Sequence, residues 1–187
     1  MTGIVRSPVF ETMCRAGWRG VLRRLQIAVA AVVVLAGAAE AERLAAKVLR
    51  VVDGDTVIAT AGGGEVRVRL LGVDAPEIAH EGRPGEPYSR VATEFTKRRI
   101  SEADRIELEI AGDRVDTHGR TLGFLWLRAR SGGEPANLSE ELLRAGLARA
   151  IRHFEYPEKN RFLGLEAEAR REGRGMWQAR RPSSSRD

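Results

Sequence analysis

Two strand-like runs on either side of three consecutive glycines constrain the fold more than any other feature of this sequence. Residues 56–60 are rich in β-branched side chains, residues 66–73 are alternating or apolar, and Gly62, Gly63 and Gly64 lie between them. This pattern predicts a β-hairpin with a short flexible turn. Because the strands of a hairpin are antiparallel, the residue before the first strand and the residue after the second meet at one mouth of the sheet.

Acidic residues stand at both of these ends. Asp53 and Asp55 precede the first run, and Asp74 and Glu77 follow the second. Carboxylate oxygens are the hard ligands that a cation such as Ca²⁺ prefers, and a further carboxylate is suited to proton transfer. Arg69, within the second run, offers a planar cation for an anionic substrate. The cluster therefore predicts a divalent cation site beside a site for an anion.

The rest of the pattern predicts a small barrel with helices. Further strands are expected at residues 46–52, 105–110, 122–127 and 147–151, and helices at residues 89–101, 139–145 and 159–172. Residues 112–119 are expected to link two strands as a loop, and Asn137 or Ser139 is expected to cap the second helix. This order is typical of a mainly β fold with α (α+β): a five-stranded OB-fold barrel capped by about three helices.

The first 41 residues have the composition of an export signal. Arginines precede an uncharged run of 13 residues from Ile27 to Ala39, and Ala39-Glu40-Ala41 fits a small-x-small cleavage site. The run is shorter than the roughly 20 residues that span a bilayer. We expect residues 1–41 to be a secretory signal peptide and the protein to be secreted or periplasmic. The alternative is an N-terminal membrane anchor at about residues 25–39. Residues 44–178 then form the folded domain, and residues 179–187 a disordered polar tail.

Net charge and cysteine content exclude few classes of protein and identify no partner. The first 41 residues supply +3 of the formal net charge of +5, so the remainder is nearly balanced. A field that attracts polyanions is therefore not established by composition. The single cysteine, Cys14, lies in the leader, which leaves no disulfide framework for the domain. The three histidines lack the spacing of a zinc site.

An ordered set of motifs resembles the staphylococcal nuclease (thermonuclease) family. The motifs are VDGDTV at residues 52–57, VRLLGVDAPE at 68–77, DTHGR at 116–120, SEELLRAGLA at 139–148 and GRGMW at 173–177. The resemblance runs from about residue 46 to residue 177. One motif alone would be weak, because Asp-Gly-Asp also occurs in ordinary turns. The ordered set is specific, and the family fold is an OB barrel with three helices.

This resemblance implies roles for individual residues. The residues implied to bind Ca²⁺ are Asp55, Asp74 and Ala75, the last through its backbone carbonyl. The residues implied to be catalytic are Arg69 and Arg120, which hold the scissile phosphate, and Glu77, which activates the attacking water. The residues implied to support them are Asp53, Thr56 and Asp116. Two segments depart from the family pattern: the Gly/Pro-rich residues 79–87, and residues 152–156, where the stacking tyrosines of the family have no clear match.

The function implied is that of an exported, calcium-dependent phosphodiesterase. It is expected to cleave DNA and RNA endonucleolytically with low sequence specificity, to leave 3′-phosphates, and to need no obligate protein partner. One alternative is a non-catalytic OB-fold module that binds nucleic acid or calcium, and another is an envelope protein tethered by an uncleaved leader. The presence of Arg69, Glu77 and Arg120 favours the enzyme, because a non-catalytic relative is expected to lose them.

Taken singly, the same residues also have purely structural interpretations. Asp53 and Asp55 could cap a turn, and Asp116 and Arg120 could form an ordinary ion pair within a loop. Arg67, two positions before Arg69, is expected to be a solvated side chain on the strand face.

Overall fold

The structure, a computed structural model, describes residues 42–178, and of residues 112–114 only the backbone. The predicted signal peptide, with its alternative as an anchor, and the predicted disordered tail lie outside the described residues. Within residues 42–178, no helix is both long enough and apolar enough to cross a membrane.

Eight strands and three α-helices make up the described chain. In chain order they are β1 (Arg43–Val51), β2 (Thr56–Ala61), β3 (Gly64–Leu70), β4 (Val73–Asp74), α1 (Ser89–Glu102), β5 (Ala103–Val115), β6 (Thr121–Ala129), β7 (Ala136–Asn137), α2 (Leu138–Arg144), β8 (Arg149–Ala150) and α3 (Lys159–Arg171), followed by a 3₁₀ turn at Gly175–Trp177.

Five of the strands close into a barrel. The hydrogen-bonded order is β3-β2-β1-β5-β6, and a parallel pairing of β3 with β6 joins the two ends. The two residues of β7 pair with Trp126 and Leu127 of β6, and β4 pairs separately with β8. Closure leaves the five barrel strands without a free edge. The predicted fold class, an α+β OB-fold barrel with three helices, is confirmed.

The hairpin of β2 and β3 brings Arg69 next to Asp55. The turn has two residues, because Ala61 pairs with Gly64, and both Gly62 (φ +57°) and Gly63 (φ +86°) are left-handed. Such a turn matches the twist of the flanking strands and favours glycine at both positions. From this register, Arg69 lies directly opposite Thr56, which is the residue after Asp55.

The predicted strand over residues 66–73 is wrong at its end. Strand β3 stops at Leu70, because Gly72 adopts φ +80° and turns the chain before β4 begins. Gly72 is also tightly packed: a Cβ at this position would lie 2.5 Å from Tyr156 Cε2. The Tyr156 hydroxyl donates to the Gly72 carbonyl at 3.2 Å. The short β4 can therefore pair with β8 instead of continuing the barrel.

The predicted loop over residues 112–119 is also shorter than expected. The chain stays extended as far as Val115, which pairs with Thr121 of β6. Gly112 and its polar neighbours suggested a loop, but a change of register after Ile110 absorbs them into the long strand as an irregular segment. Only residues 116–120 form the connecting turn.

The helices pack against the barrel and form a single core with it. Leu142 of α2 and Phe162 of α3 are fully buried, and the Phe162 ring meets Phe124 of β6 edge to face at 6.0 Å between centroids. Asn137 caps α2 by accepting from the backbone N–H groups of Ser139 and Glu140. After α3, the 3₁₀ turn docks on the end of α2, where Met176 N donates to Gly146 O at 2.9 Å.

Candidate functional site

A tight turn between β1 and β2 presents Asp55. Asp53 Oδ1 accepts from the backbone N–H of Asp55 at 3.0 Å, and the N–H groups of Val52 and Asp53 both donate to Thr56 O. The carboxylate of Asp55 accepts from Thr56 Oγ1 at 3.2 Å and is almost completely buried. Asp53 therefore does cap the turn, and in doing so it orients Asp55 toward the barrel mouth.

Helix α1 fixes this turn through a side-chain hydrogen bond. Thr96, which is fully buried on α1, donates its hydroxyl to Gly54 O at 2.6 Å. The turn is thereby fixed to a rigid element, which is how proteins keep functional side chains in a defined position.

Asp55 and Asp74 meet at one end of the hairpin, as the antiparallel pattern predicts. The backbone N–H of Ala75, the residue after Asp74, donates to Asp55 Oδ2 at 2.5 Å. The Asp74 side chain is about half exposed, with an exposed fraction of 53%, whereas that of Asp55 is 2%. The pair thus consists of one inner carboxylate and one that faces the solvent.

Arg69 bridges the two carboxylates. Its Nη2 lies 2.8 Å from Asp74 Oδ1, and its Nη1 forms an ion pair with Asp55 Oδ1. Burial lowers the pKa of Arg69 and nearby Arg120 acts in the same direction, while Asp74 opposes them. The guanidinium stays charged at any ordinary pH. A buried cation between two acids is therefore the central electrostatic feature of this site.

Arg120 is fixed by the turn between β5 and β6. Asp116 Oδ1 accepts from the backbone N–H groups of His118 and Arg120, each at 2.9 Å, and Asp116 Oδ2 accepts from Arg120 Nε at 2.6 Å. Burial would raise the pKa of Asp116, but the hydrogen bonds from Arg120 and His118 outweigh it and hold the pKa below its usual range. The ion pair considered from the sequence is present, and it aims the Arg120 side chain.

An open cleft of about 500 Å³ joins these groups. Arg69, Asp74, Asp116 and Arg120 line it. Residues 149–154 also line it and are called the cleft wall below. A larger cavity of about 710 Å³ lies between α1 and residues 78–86, and none of the predicted site residues lines it.

Glu77 lies apart from the arginines. It is not among the residues that line the cleft, and its side chain is about half exposed. Its backbone pairs with the loop that follows, where Glu86 N donates to Glu77 O at 2.9 Å, and its carboxylate lies 3.5 Å from His80 Nε2. The structure brings Arg69, Arg120, Asp55 and Asp74 together, and the role of Glu77 stays a prediction.

The site suits a hard cation that is held by only a few protein ligands. In the part of the chain that the structure describes, no group of three or more His, Cys, Asp or Glu side chains could hold a metal ion. Two carboxylates nevertheless converge here, and because Arg69 offsets only one of their charges, the group keeps a net negative charge that attracts a cation. Asp55, Asp74 and the Ala75 carbonyl offer only oxygen, which fits Ca²⁺ if water and a substrate phosphate complete its shell.

Sequence reasoning missed the cleft wall. Arg149, Arg152, His153 and Phe154 all line the cleft, although residues 152–156 showed no clear match to the family pattern. The wall is placed by β8, in which Arg149 pairs with Asp74 and Ala150 with Val73. The signal in the sequence was the pair of arginines beside a short apolar strand, which by itself indicates only a solvated edge.

Comparisons with known proteins found similar sequences that cover most of the chain. A family model described as "Staphylococcal nuclease homologue" matches residues 67–179. The chain is 35% identical over 143 residues to a thermonuclease of Staphylococcus hyicus, covering 76% of this chain and 80% of that protein. It is 40% identical over 125 residues to a thermonuclease of Staphylococcus intermedius, covering 67% and 68% respectively. It is also 29% identical over 163 residues to a micrococcal nuclease of Shigella flexneri, covering 85% and 88%.

Proposed function

Because the chain belongs to the staphylococcal nuclease family, we propose that it is an exported, calcium-dependent nuclease. Its substrates are DNA and RNA, cleaved within the chain with low sequence specificity to leave 3′-phosphates. The observation that carries the proposal is the cleft that Arg69 and Arg120 both line, beside two converging carboxylates. The nuclease names of the relatives support the enzyme class.

The two arginines would perform the main electrostatic work. A phosphodiester repels nucleophiles because it is negatively charged, and the charge at phosphorus grows in the transition state. A guanidinium donates parallel hydrogen bonds to two phosphate oxygens, which an ammonium cannot do. Arg120 is held by Asp116 and Arg69 by Asp74, so neither side chain needs to be ordered when the substrate binds.

The carboxylates would have two different roles. Asp55, Asp74 and the Ala75 carbonyl would hold Ca²⁺, which when bound neutralises phosphate charge and orients water. Glu77, on the loop that follows, would accept the proton of the attacking water. This role requires the Glu77 carboxylate to leave His80 and turn toward the cleft, because the two lie 3.5 Å apart in this structure.

A digestion assay tests the activity. The purified protein is incubated with circular plasmid and with RNA, in the presence of Ca²⁺, of Mg²⁺, or of excess chelator. We expect nicked and then fragmented plasmid and degraded RNA with Ca²⁺, weaker turnover with Mg²⁺ because of its stricter octahedral shell, and no cleavage with chelator. Product ends that a polymerase extends only after phosphatase treatment identify 3′-phosphates. Undiminished cleavage in chelator would contradict the calcium assignment.

A second measurement tests export. We propose that residues 1–41 are removed on secretion or on transfer to the periplasm, which leaves a new amino terminus near Glu42. Amino-terminal sequencing of the protein recovered outside the cytoplasm checks this directly. Recovery of Met1 or Thr2 on that material would instead indicate a retained leader that anchors the protein at about residues 25–39.

A further inference from the structure

A buried carboxylate lies directly behind the cleft wall. Glu166, on α3, has no exposed surface, and its oxygens bind two arginines. Glu166 Oε2 lies 2.8 Å from Arg152 Nη2, and Glu166 Oε1 lies 2.6 Å from Arg170 Nη2. The backbone N–H of Ala150 in β8 also donates to Glu166 Oε2, at 3.4 Å. One side chain of α3 therefore holds both the backbone and an arginine of the wall.

The three charges of this group do not cancel. Two guanidinium groups share one carboxylate, so the group has a net positive charge. Burial would raise the pKa of Glu166, but the hydrogen bonds from Arg170 and Arg152 outweigh it and keep the carboxyl ionised. Arg170 stacks on the ring of Trp177 at 3.8 Å and does not line the cleft. Arg152 does line the cleft, and more than half of its side chain is exposed.

Arg152 is rigidly placed with respect to the predicted catalytic groups. Arg149 pairs with Asp74 across β8 and β4, and the N–H of Ile151 donates to Gly72 O at 2.9 Å. Arg152 follows immediately, and its Nη1 donates to Ala150 O at 3.1 Å. Nη1 and Nη2 of the guanidinium are thus both held, by Ala150 O and by Glu166, and the remaining N–H donors are left for a ligand in the cleft.

We propose that Arg152, held by Glu166, forms a second phosphate subsite. It binds a backbone phosphodiester that flanks the scissile one in single-stranded nucleic acid, and Glu166 acts as a positioning residue. The inference rests on the proposed function, because Arg152 lines the same cleft as Arg69 and Arg120, and a strand bound there presents successive phosphates. The subsite contributes to substrate binding and not to the chemical step, since the phosphodiester that it binds is not the one that is cleaved.

The first test compares Arg152→Gln with Arg171→Gln in the full chain. Arg171 is an exposed arginine at the end of α3 that does not line the cleft, so its replacement matches the charge change. Binding of a labelled single-stranded oligonucleotide is measured in excess chelator over a salt series, with its intactness checked on a gel. For Arg152→Gln we expect affinity to fall roughly tenfold and the salt slope to decrease by about 0.7. Arg171→Gln should change neither.

Cleavage kinetics separate failure of the subsite from failure of the nuclease assignment. For Arg152→Gln we expect a KM increase of about tenfold with unchanged kcat on the oligonucleotide, and no change on a nucleoside aryl phosphodiester that has a single phosphate. If the wild type cleaves and Arg152→Gln retains its KM and salt slope, the subsite is overturned while the nuclease stands. If the wild type neither binds nor cleaves nucleic acid, both proposals fall.

A second comparison tests the role of Glu166. Glu166→Gln should raise KM at constant kcat, and it should have no further effect in the Arg152→Gln background, because both changes act on one interaction. Arg170→Gln removes the other partner of Glu166 and should lower stability while leaving KM unchanged. Equal KM effects of Glu166→Gln in both backgrounds would show that Glu166 does not act through Arg152.

Discussion

Replacing Arg69 with lysine is the sharpest test of the site. Arg69 contacts Asp55 and Asp74 with separate nitrogens, and only 11% of its side chain is exposed. A lysine keeps the charge but has a single nitrogen, which cannot reach both carboxylates and also donate two parallel hydrogen bonds to a phosphate. The variant therefore removes the geometry of the cation while retaining its charge.

The expected loss can be estimated from this geometry. A preorganised donor aimed at charge that develops in the transition state contributes about 3 kcal/mol. Since about 1.4 kcal/mol corresponds to a factor of ten in rate, Arg69→Lys should lower kcat/KM roughly 100-fold. The loss of one contact to a buried carboxylate should also reduce the free energy of unfolding, by about 1–2 kcal/mol. The variant should nevertheless remain folded at room temperature.

Steady-state cleavage of a short single-stranded DNA measures kcat and KM, and urea denaturation measures stability. Arg67→Lys is the matched control, because Arg67 lies two residues away on the same face of β3 and is exposed. It should have nearly wild-type kinetics. Arg120→Lys should lower kcat more than it raises KM if Arg120 acts on the transition state. The proposed role of Arg69 would be refuted if a folded Arg69→Lys variant kept a kcat/KM within about threefold of the wild-type value, since loss of such a donor should cost far more.

Three further predictions follow from other parts of the structure. Glu77→Gln should reduce turnover far more than affinity for an uncleavable nucleotide analogue, and near wild-type turnover would exclude Glu77 as the base. Gly72→Ala should destabilise the protein by about 3 kcal/mol in urea denaturation, because it combines a left-handed φ of +80° with a Cβ only 2.5 Å from a buried ring; an unchanged midpoint would contradict this. The pKa of Glu166 is lowered in the folded state. Its ion pairs therefore stabilise the fold above the unfolded pKa of about 4.3, and this stabilisation is lost as the pH falls through the lower folded pKa. The stability difference between wild type and Glu166→Gln should therefore shrink in acid, and a difference independent of pH would show that the carboxylate charge is not involved.

Local patterns were sufficient to predict one half of the site. The hairpin follows from two strand-like runs and a glycine turn, and antiparallel pairing then requires Asp55 and Asp74 to meet. Arg69 is inserted between these carboxylates, whereas Arg67 stays exposed. The alternation of side chains along a strand does not predict this difference, because Arg67 and Arg69 share one face of β3. Their difference in burial comes from the closure of the barrel at the Arg69 end, where β3 pairs with β6.

The other half depends on contacts that leave no periodic signal. Strands β4 and β8 have only two residues each, so no alternation marks them, and their pairing determines where the cleft wall lies. Glu166 did carry a signal, since it lies four residues after Phe162 and three before Ala169, on the apolar face of α3. A charged residue on such a face indicates a buried ion pair, but the sequence does not say that one partner, Arg152, faces the cleft.

The pairing of β4 with β8 also determines when the site is completed during synthesis. Asp74 and Arg149 are cross-strand neighbours, although about half of the described chain separates them in sequence. A nascent polypeptide that has emerged as far as α1 already contains Asp55, Arg69 and Asp74, but it lacks both Arg120 and the cleft wall. The wall in turn depends on α3 and on the 3₁₀ turn that docks at Gly146, close to the carboxyl terminus. Contacts between residues so distant in sequence carry a large loop-closure entropy cost, which slows folding. The cleft can therefore be complete only after synthesis has reached the 3₁₀ turn, and a shorter nascent chain contains the acidic residues without the wall.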